Sequence, residues 1–176
     1  MAELCFFKRD MDTITNEKKN LIVRASIQQQ IKIDNDLRSV GIKDLVADYG
    51  ELLAARALGD VKLEKPVTPG HDITHPELGK VQVKTRKLPV KANGKTGSET
   101  RAVFKVDEPN QFDWLLHIIL NPDYSINAAT RAKYDEVWPE ITKTSMKVTF
   151  PISSTLSSSV NMTDEIKEAS KELFKE

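Results

Sequence analysis

The chain has 176 residues, 39% of them apolar and 30% charged, which is enough for one domain whose core needs no disulfide or metal staple. Its 26 basic and 26 acidic residues cancel, so overall charge selects no partner. The single cysteine, Cys5, excludes an intramolecular disulfide and fits a reducing cytoplasm.

"LCFF", followed at once by Lys8, Arg9 and Asp10, is too short for a secretory core. No run reaches the ~18 apolar residues of a membrane span. The expected location is therefore cytoplasmic, with no membrane partner.

From Thr13 to Ile33 the residues Ile14, Leu21, Ile22, Ala25, Ile27 and Ile31 make a loose apolar stripe that predicts a helix. Thr13 suits its cap and Glu17 its first turn. "NDLRSVGI" breaks the pattern. A second helix is predicted over 43–58, with Leu45, Val46, Leu52, Leu53, Ala54, Ala57 and Leu58 as a broad buried face and Gly59 as its stop. Residues 61–69 read as extended and proline-punctuated.

A hairpin follows: a strand from Asp72 to Thr74, a tight turn at His75-Pro76-Glu77-Leu78-Gly79, and a strand from Lys80 to Arg86. "KLPVKANGKTGSET" (87–100) has the composition of a mobile surface loop. "RAVFKV" (101–106) and "FDWLLHIILN" (112–121) are predicted strands, the second apolar enough to be central and covered on both faces. "PDYS" turns the chain, "INAAT" reads as a strand, and "RAKYDEVWPEI" as a short helix ended by Pro139.

"MKVTFPI" is a late strand and "SSTLSSS" a linker. An amphipathic helix follows from Thr163, with Ile166, Ala169 and Leu173 on one side. This order predicts an α/β fold, a central mixed β-sheet flanked by helices. It divides into a helical extension (1–42), an α/β core (43–150) and a linker with a C-terminal helix (151–176), all in one compact domain.

The hairpin carries chemistry. Residues i and i+2 of a strand share a face, so Gln82 and Lys84 point one way while Val81 and Val83 point into the core. Pairing places Asp72 near Gln82. A carboxylate, an amide oxygen and an ammonium then converge, and Mg²⁺ takes a few hard oxygen ligands while keeping several waters. Asp72 would supply the charged ligand and Gln82 a neutral one. Lys84 would orient the attacking water and stabilise charge developing on a phosphate. Glu51, in the preceding helix, offers a second carboxylate.

Between residues 80 and 105 lie Lys80, Lys84, Arg86, Lys87, Lys91, Lys95, Arg101 and Lys105 against one acid, Glu99. A basic, glycine-containing loop beside carboxylates suits a polyanionic substrate. The bland alternatives are a solvated basic loop and a strand-edge lysine kept for solubility.

"YGELLAARALG", then "GHDI", then "VQVKTR" resembles the PD-(D/E)xK nuclease superfamily, in the branches whose last motif reads QxK. The resemblance covers residues 43–140 and implies a restriction-endonuclease-like core that hydrolyses phosphodiester bonds with Mg²⁺ or Mn²⁺. Glu51 matches the helix glutamate, Asp72 the hairpin aspartate, and Gln82 and Lys84 the polar pair of the triplet. Two positions depart from the pattern: His71 precedes Asp72 in place of proline, and Gln82 replaces an acid.

The resemblance implies Glu51, Asp72, Gln82 and Lys84 as catalytic residues, the first three holding metal. DNA is the implied substrate, met by Arg86, Lys87, Lys91, Lys95 and Arg101. The implied function is a restriction or defence DNA endonuclease, acting as a homodimer with the N-terminal helix as interface. The alternatives are a catalytically inactive nuclease-fold module that binds nucleic acid or a protein, and a plain interaction subunit.

Other patterns carry less. "NGKTGS" would need a glycine where Pro89 stands to form a phosphate loop. His71 and His75 have the spacing of a helical zinc pair, but Pro69, Gly70 and Pro76 bar a helix. His75 reads as a turn residue, His117 as a satisfied strand residue, and Trp114 and Trp138 as packing.

Overall fold

The computed structural model describes residues 16–59, 61–64, 70–97, 101–105, 111–138, 141–142, 147–151 and 156–175. For residues 16, 17, 101–105, 141–142 and 147–151 it describes the backbone alone. Thr13, Ile14 and Cys5 lie outside the described residues, as do 65–69 of the proline-punctuated stretch. The chain divides into two compact units, Met1–Lys43 and Asp44–Glu176.

Among its described residues the first unit holds one helix, α1 (Asn16–Ser39). It continues through "NDLRS", where the sequence pattern predicts a break. Gln30 donates to Asp34 one turn on (2.8 Å), so the polar residues support the helix instead of ending it. The stop is Gly41, at φ +84, whose N–H reaches the Arg38 carbonyl while Ile42 N–H reaches that of Leu37 (both 3.0 Å). These are the two bonds of a glycine-dependent helix end. At about 100° per residue, Ile22 and Ile33 fall on one side and Val23, Ile27 and Ile31 on another. All five are exposed, so the apolar residues do not form a single stripe.

The second unit begins with α2 (Leu45–Ala57). Asp44 caps it, its carboxylate accepting from Val46 N (3.0 Å) and Ala47 N (3.2 Å). A cap of this kind contributes about 1 kcal/mol. Gly59, at φ +95, ends the helix where predicted. The buried positions are Gly50, Leu53, Ala54 and Ala55, whereas Leu45 and Leu52 are 38% and 46% exposed. Small residues thus set the contact line and let the helix come close to the sheet; the two leucines lie outside it.

The main sheet has five strands in the order β1 (Ile73–His75), β2 (Gly79–Lys87), β4 (Trp114–Leu120), β5 (Ile126–Lys133) and β8 (Val160–Asn161). Only β2 and β4 run parallel, so the sheet is mixed. A second, antiparallel sheet orders β3 (Arg101–Lys105), β7 (Lys147–Pro151) and β6 (Ile141–Thr142) as β3-β7-β6. The α/β class expected from the element order therefore holds.

β5 runs on through Arg131, Ala132 and Lys133, residues that the sequence reading placed in a helix. The helix that follows, α3, is only Tyr134–Val137. Ala129 belongs to the core of one face and Ala132 to that of the other, so the strand is held from both sides and burial overrides local propensity.

On one face Val81, Val83, Leu116, Ile118 and Ala129 pack with Leu53 and Ala54 of α2 and with Ile166 and Ala169 of α4 (Thr163–Leu173). On the other, Leu115 and Ala132 pack with Phe112, Tyr134 and Val137. Every residue of β4 from Leu115 to Leu120 is buried, as expected of a central strand. At about 1.5–3 kcal/mol for each fully buried aliphatic side chain, this strand is the main source of cohesion. Among the described residues no helix is long and apolar enough to cross a membrane.

Candidate active site

The register Ile73↔Val81 puts Asp72 opposite Gln82, and Asp72 N–H still donates to Val81 O (3.0 Å). Glu64 N–H donates to the Asp72 carbonyl from the outer side (2.9 Å). Beyond this point β1 offers β2 no further backbone, and the Asp72 carboxylate takes over. Its Oδ2 accepts from Val83 N–H (2.7 Å) and from the Gln82 amide nitrogen. Both bonds fall on Oδ2, and neither uses Oδ1. The aspartate is thereby fixed at the end of the hairpin ladder.

Asp72 and Gln82 are thus brought together, as the hairpin reading requires. The amide, however, presents Nε2 to Asp72 where the expectation had its oxygen, and Nε2 also donates to Val83 O (3.2 Å). Gln82 is buried. For its Oε1 to face a cation beside Asp72, the amide must turn over.

Lys84 lies two residues on, half-buried, beside His117 of β4 in the parallel register. His117 is fully buried, and burial, helped by the Arg86 charge, lowers its pKa to about 4. It is therefore a neutral imidazole at working pH.

Glu51 reaches this corner because of Gly50. A Cβ on Gly50 would lie 1.6 Å from Thr85 Oγ1, so only glycine lets α2 settle on β2 here. Burial raises the Glu51 pKa from 4.5 to about 7, aided by the negative charges of Asp72 and Asp48 and opposed by Lys84. The Asp72 pKa is raised as well, chiefly by burial, against the Val83 N–H bond and the electrostatic influence of Lys84 and His71. Two desolvated carboxylates, one raised further by the charge of the other and both opposed by the Lys84 ammonium, form an electrostatically strained group.

Among the described residues no three His, Cys, Asp or Glu side chains are grouped to hold a metal. The set here has two carboxylates, and its third oxygen donor would be the Gln82 amide. The histidines of the hairpin are occupied otherwise. His75 Nδ1 accepts from Glu77 N and Leu78 N (both 3.1 Å), which makes it a turn residue as expected. His71 Nε2 pairs with Thr74 Oγ1 (3.2 Å), which donates to Glu64 (2.7 Å).

Arg86 and Lys87 continue β2 beyond Lys84, both half-buried. The Lys87 ammonium stands 4.1 Å from the centre of the Tyr124 ring. Lys91 and Lys95 are exposed. They do not sit in an irregular loop: residues 89–97 close into a small hairpin, bridged Val90↔Thr96. Arg101 opens β3 opposite Pro151, and its backbone alone is described.

Neither protein-family models nor curated proteins match the chain. The sequence reading missed the pair that positions Glu51, Gly50 and Thr85. The available signal was a glycine inside the apolar helix "DYGELLAA", where glycine costs about 1 kcal/mol relative to alanine.

Proposed function

We propose that the chain is a Mg²⁺- or Mn²⁺-dependent DNA endonuclease of the restriction or defence type, built on a restriction-endonuclease-like core. One observation carries the reading: two desolvated carboxylates, Glu51 from α2 and Asp72 just before β1, share a field with Lys84 of β2. Burial makes both charges costly and the Asp72 charge adds to the cost at Glu51, and a divalent cation would relieve both.

The donor set suits a hard cation. Glu51 and Asp72 would hold it through carboxylate oxygens, Asp72 staying anchored through Oδ2, and Gln82 would add Oε1 once its amide turns. When bound, the ion would act as a Lewis acid on the scissile phosphate and make an adjacent water more acidic. Lys84 would orient the attacking water and stabilise charge on the phosphate. Arg86, Lys87, Lys91, Lys95 and Arg101 would take neighbouring phosphates. Two copies joined through α1 would bring two sites to the two strands.

A second reading is a catalytically silent nuclease-fold module that binds nucleic acid. The Gln82 amide favours it, since it already satisfies Asp72 and Val83 O in the place where an acidic ligand would add charge.

Supercoiled plasmid tests the proposal. Wild type is expected to nick or linearise it with Mg²⁺ or Mn²⁺ and to leave it intact in EDTA. Lys84→Ala should cut about 10²- to 10³-fold more slowly, the range for losing one group that stabilises transition-state charge. If wild type cuts no DNA or RNA with either metal, the nuclease reading fails. If Lys84→Ala cuts as fast as wild type, the site is elsewhere.

A further inference from the structure

The hairpin at 89–97 has a rigid base and a charged tip. At its base Leu88 is buried and its N–H donates to Leu120 O of the central strand (2.8 Å). Gly97 N–H closes the ribbon on Pro89 O (2.7 Å), and a Cβ on Gly97 would meet the proline ring at 2.9 Å. At the tip Gly94 turns the chain at φ +76, and Lys95 N–H donates to Asn93 Oδ1 (3.1 Å). Lys91 and Lys95 face each other across the ribbon, Lys91 N–H donating to Lys95 O (2.8 Å). Both side chains are exposed, as is Val90 at 61%.

Two like charges directly opposed on a ribbon destabilise it, and no acid occurs between Leu88 and Gly97 to balance them. A polyanion would. The kind of polyanion follows from what the segment lacks. Binders of single strands interleave cations with aromatic rings on which bases stack. From Gly79 to Val103 there is no Phe, Tyr, Trp or His. A narrow two-stranded ribbon with cations at its sides and an Asn-Gly tip instead matches a duplex groove, about 12 Å wide on the major side.

We infer that the 89–97 hairpin is a duplex-seating ribbon: it enters a groove of double-stranded DNA, and Lys91 and Lys95 contact the flanking phosphates. The role assigned to the DNA rests on the nuclease reading above; the ribbon's preference for duplex over single strand goes beyond it. The ribbon projects from the same strand that carries Lys84, so it fixes where along the duplex the site falls.

Fluorescence anisotropy of a labelled 20-base-pair duplex, and of one of its strands alone, tests this in EDTA, which prevents metal-dependent cutting. Wild type should bind the duplex more tightly than the strand. The double substitution Lys91→Gln and Lys95→Gln should lower the slope of log affinity against log salt by about 2, near 0.9 per lost phosphate contact, and remove the duplex preference. Lys91→Arg with Lys95→Arg should keep both. An unchanged slope, an absent duplex preference or no binding to duplex overturns the ribbon. The two proposals separate: plasmid cutting that is indifferent to the hairpin lysines overturns the ribbon alone. Hairpin-dependent binding without cutting by wild type overturns the nuclease alone.

Discussion

Glu51→Gln is expected to stabilise the metal-free protein at pH 8 and to slow plasmid cleavage about 10³-fold, near 4 kcal/mol of transition-state stabilisation. The two effects have one cause. Burial, with Asp72 and Asp48 nearby, raises the Glu51 pKa from 4.5 to about 7. Between those values the folded protein holds a proton that the unfolded chain has lost, so stability falls as pH rises through this window. Above pH 7 the cost of the charge is complete, about 3 kcal/mol at most for a shift of this size, and less where water reaches the half-buried carboxylate.

Glutamine keeps the shape and cannot ionise, so the cost disappears. Urea unfolding at pH 4.5 and pH 8 checks the point: the variant should gain at pH 8 and be level with wild type near pH 4.5. On the proposed metal site, Mg²⁺ added at pH 8 should reverse the order, because wild type would gain more from binding in the folded state. The metal must also displace a proton, so its affinity for wild type should rise with pH up to about 7 and level off above it. A metal-free variant less stable than wild type at pH 8 would mean that Glu51 is held by favourable contacts and is not a strained ligand.

Much of this corner was legible in the sequence because it depends on local rules. Alternation in "VQVKTR" and the turn at His75-Pro76 fix the hairpin register, and register alone sets Asp72 opposite Gln82. The apolar run in "WLLHIIL" marks a central strand without reference to its neighbours. What could not be read depends on contacts between distant segments. Nothing in "DYGELL" says which strand Gly50 will touch, so Glu51 could be proposed as a second carboxylate but not placed.

The parallel pairing of Lys84 with His117 spans a connection of more than twenty residues, and no local signal encodes it. Which side of the Gln82 amide faces Asp72 could not be read for another reason. A free backbone N–H at Val83 draws Oδ2 of Asp72 inward, and the amide nitrogen follows as a second donor to the same oxygen. The helix read over "RAKYDEVWPEI" begins too early, since Arg131 and Lys133 belong to β5. Arg131 lays its guanidinium over the Trp114 ring at 4.8 Å, a cation–π contact that holds the charge on the strand.

Gly50→Ala should be among the most damaging single changes in the protein, despite alanine's higher helix propensity. The added Cβ would meet three atoms of Thr85 at 1.6, 2.6 and 2.8 Å. A new Thr85 rotamer would relieve the contact with Oγ1 but not that with Cβ, which is fixed by the backbone of β2. The helix must therefore lift from the sheet, loosening Leu53 and Ala54 against Val81 and Val83. Overpacking of this kind costs about 1–3 kcal/mol or more, against roughly 1 kcal/mol gained from propensity.

Thr85 lets the cause be isolated. Its hydroxyl is buried with no hydrogen-bond partner among the described residues, so Thr85→Ala should be close to neutral. Gly50→Ala made in the Thr85→Ala background should then cost less than in wild type, and in Thr85→Gly less again, which a double-mutant cycle reads directly. Equal cost in all three backgrounds would mean that the helix–strand contact is not what demands glycine. Where the variant stays folded, cleavage should fall further than stability does, because lifting α2 moves Glu51 from Asp72 and Lys84, and a displacement of about 1 Å in a positioned group can cost about 10²-fold in rate. Activity returning with Thr85→Gly would tie the position of Glu51, and with it the site, to this one contact.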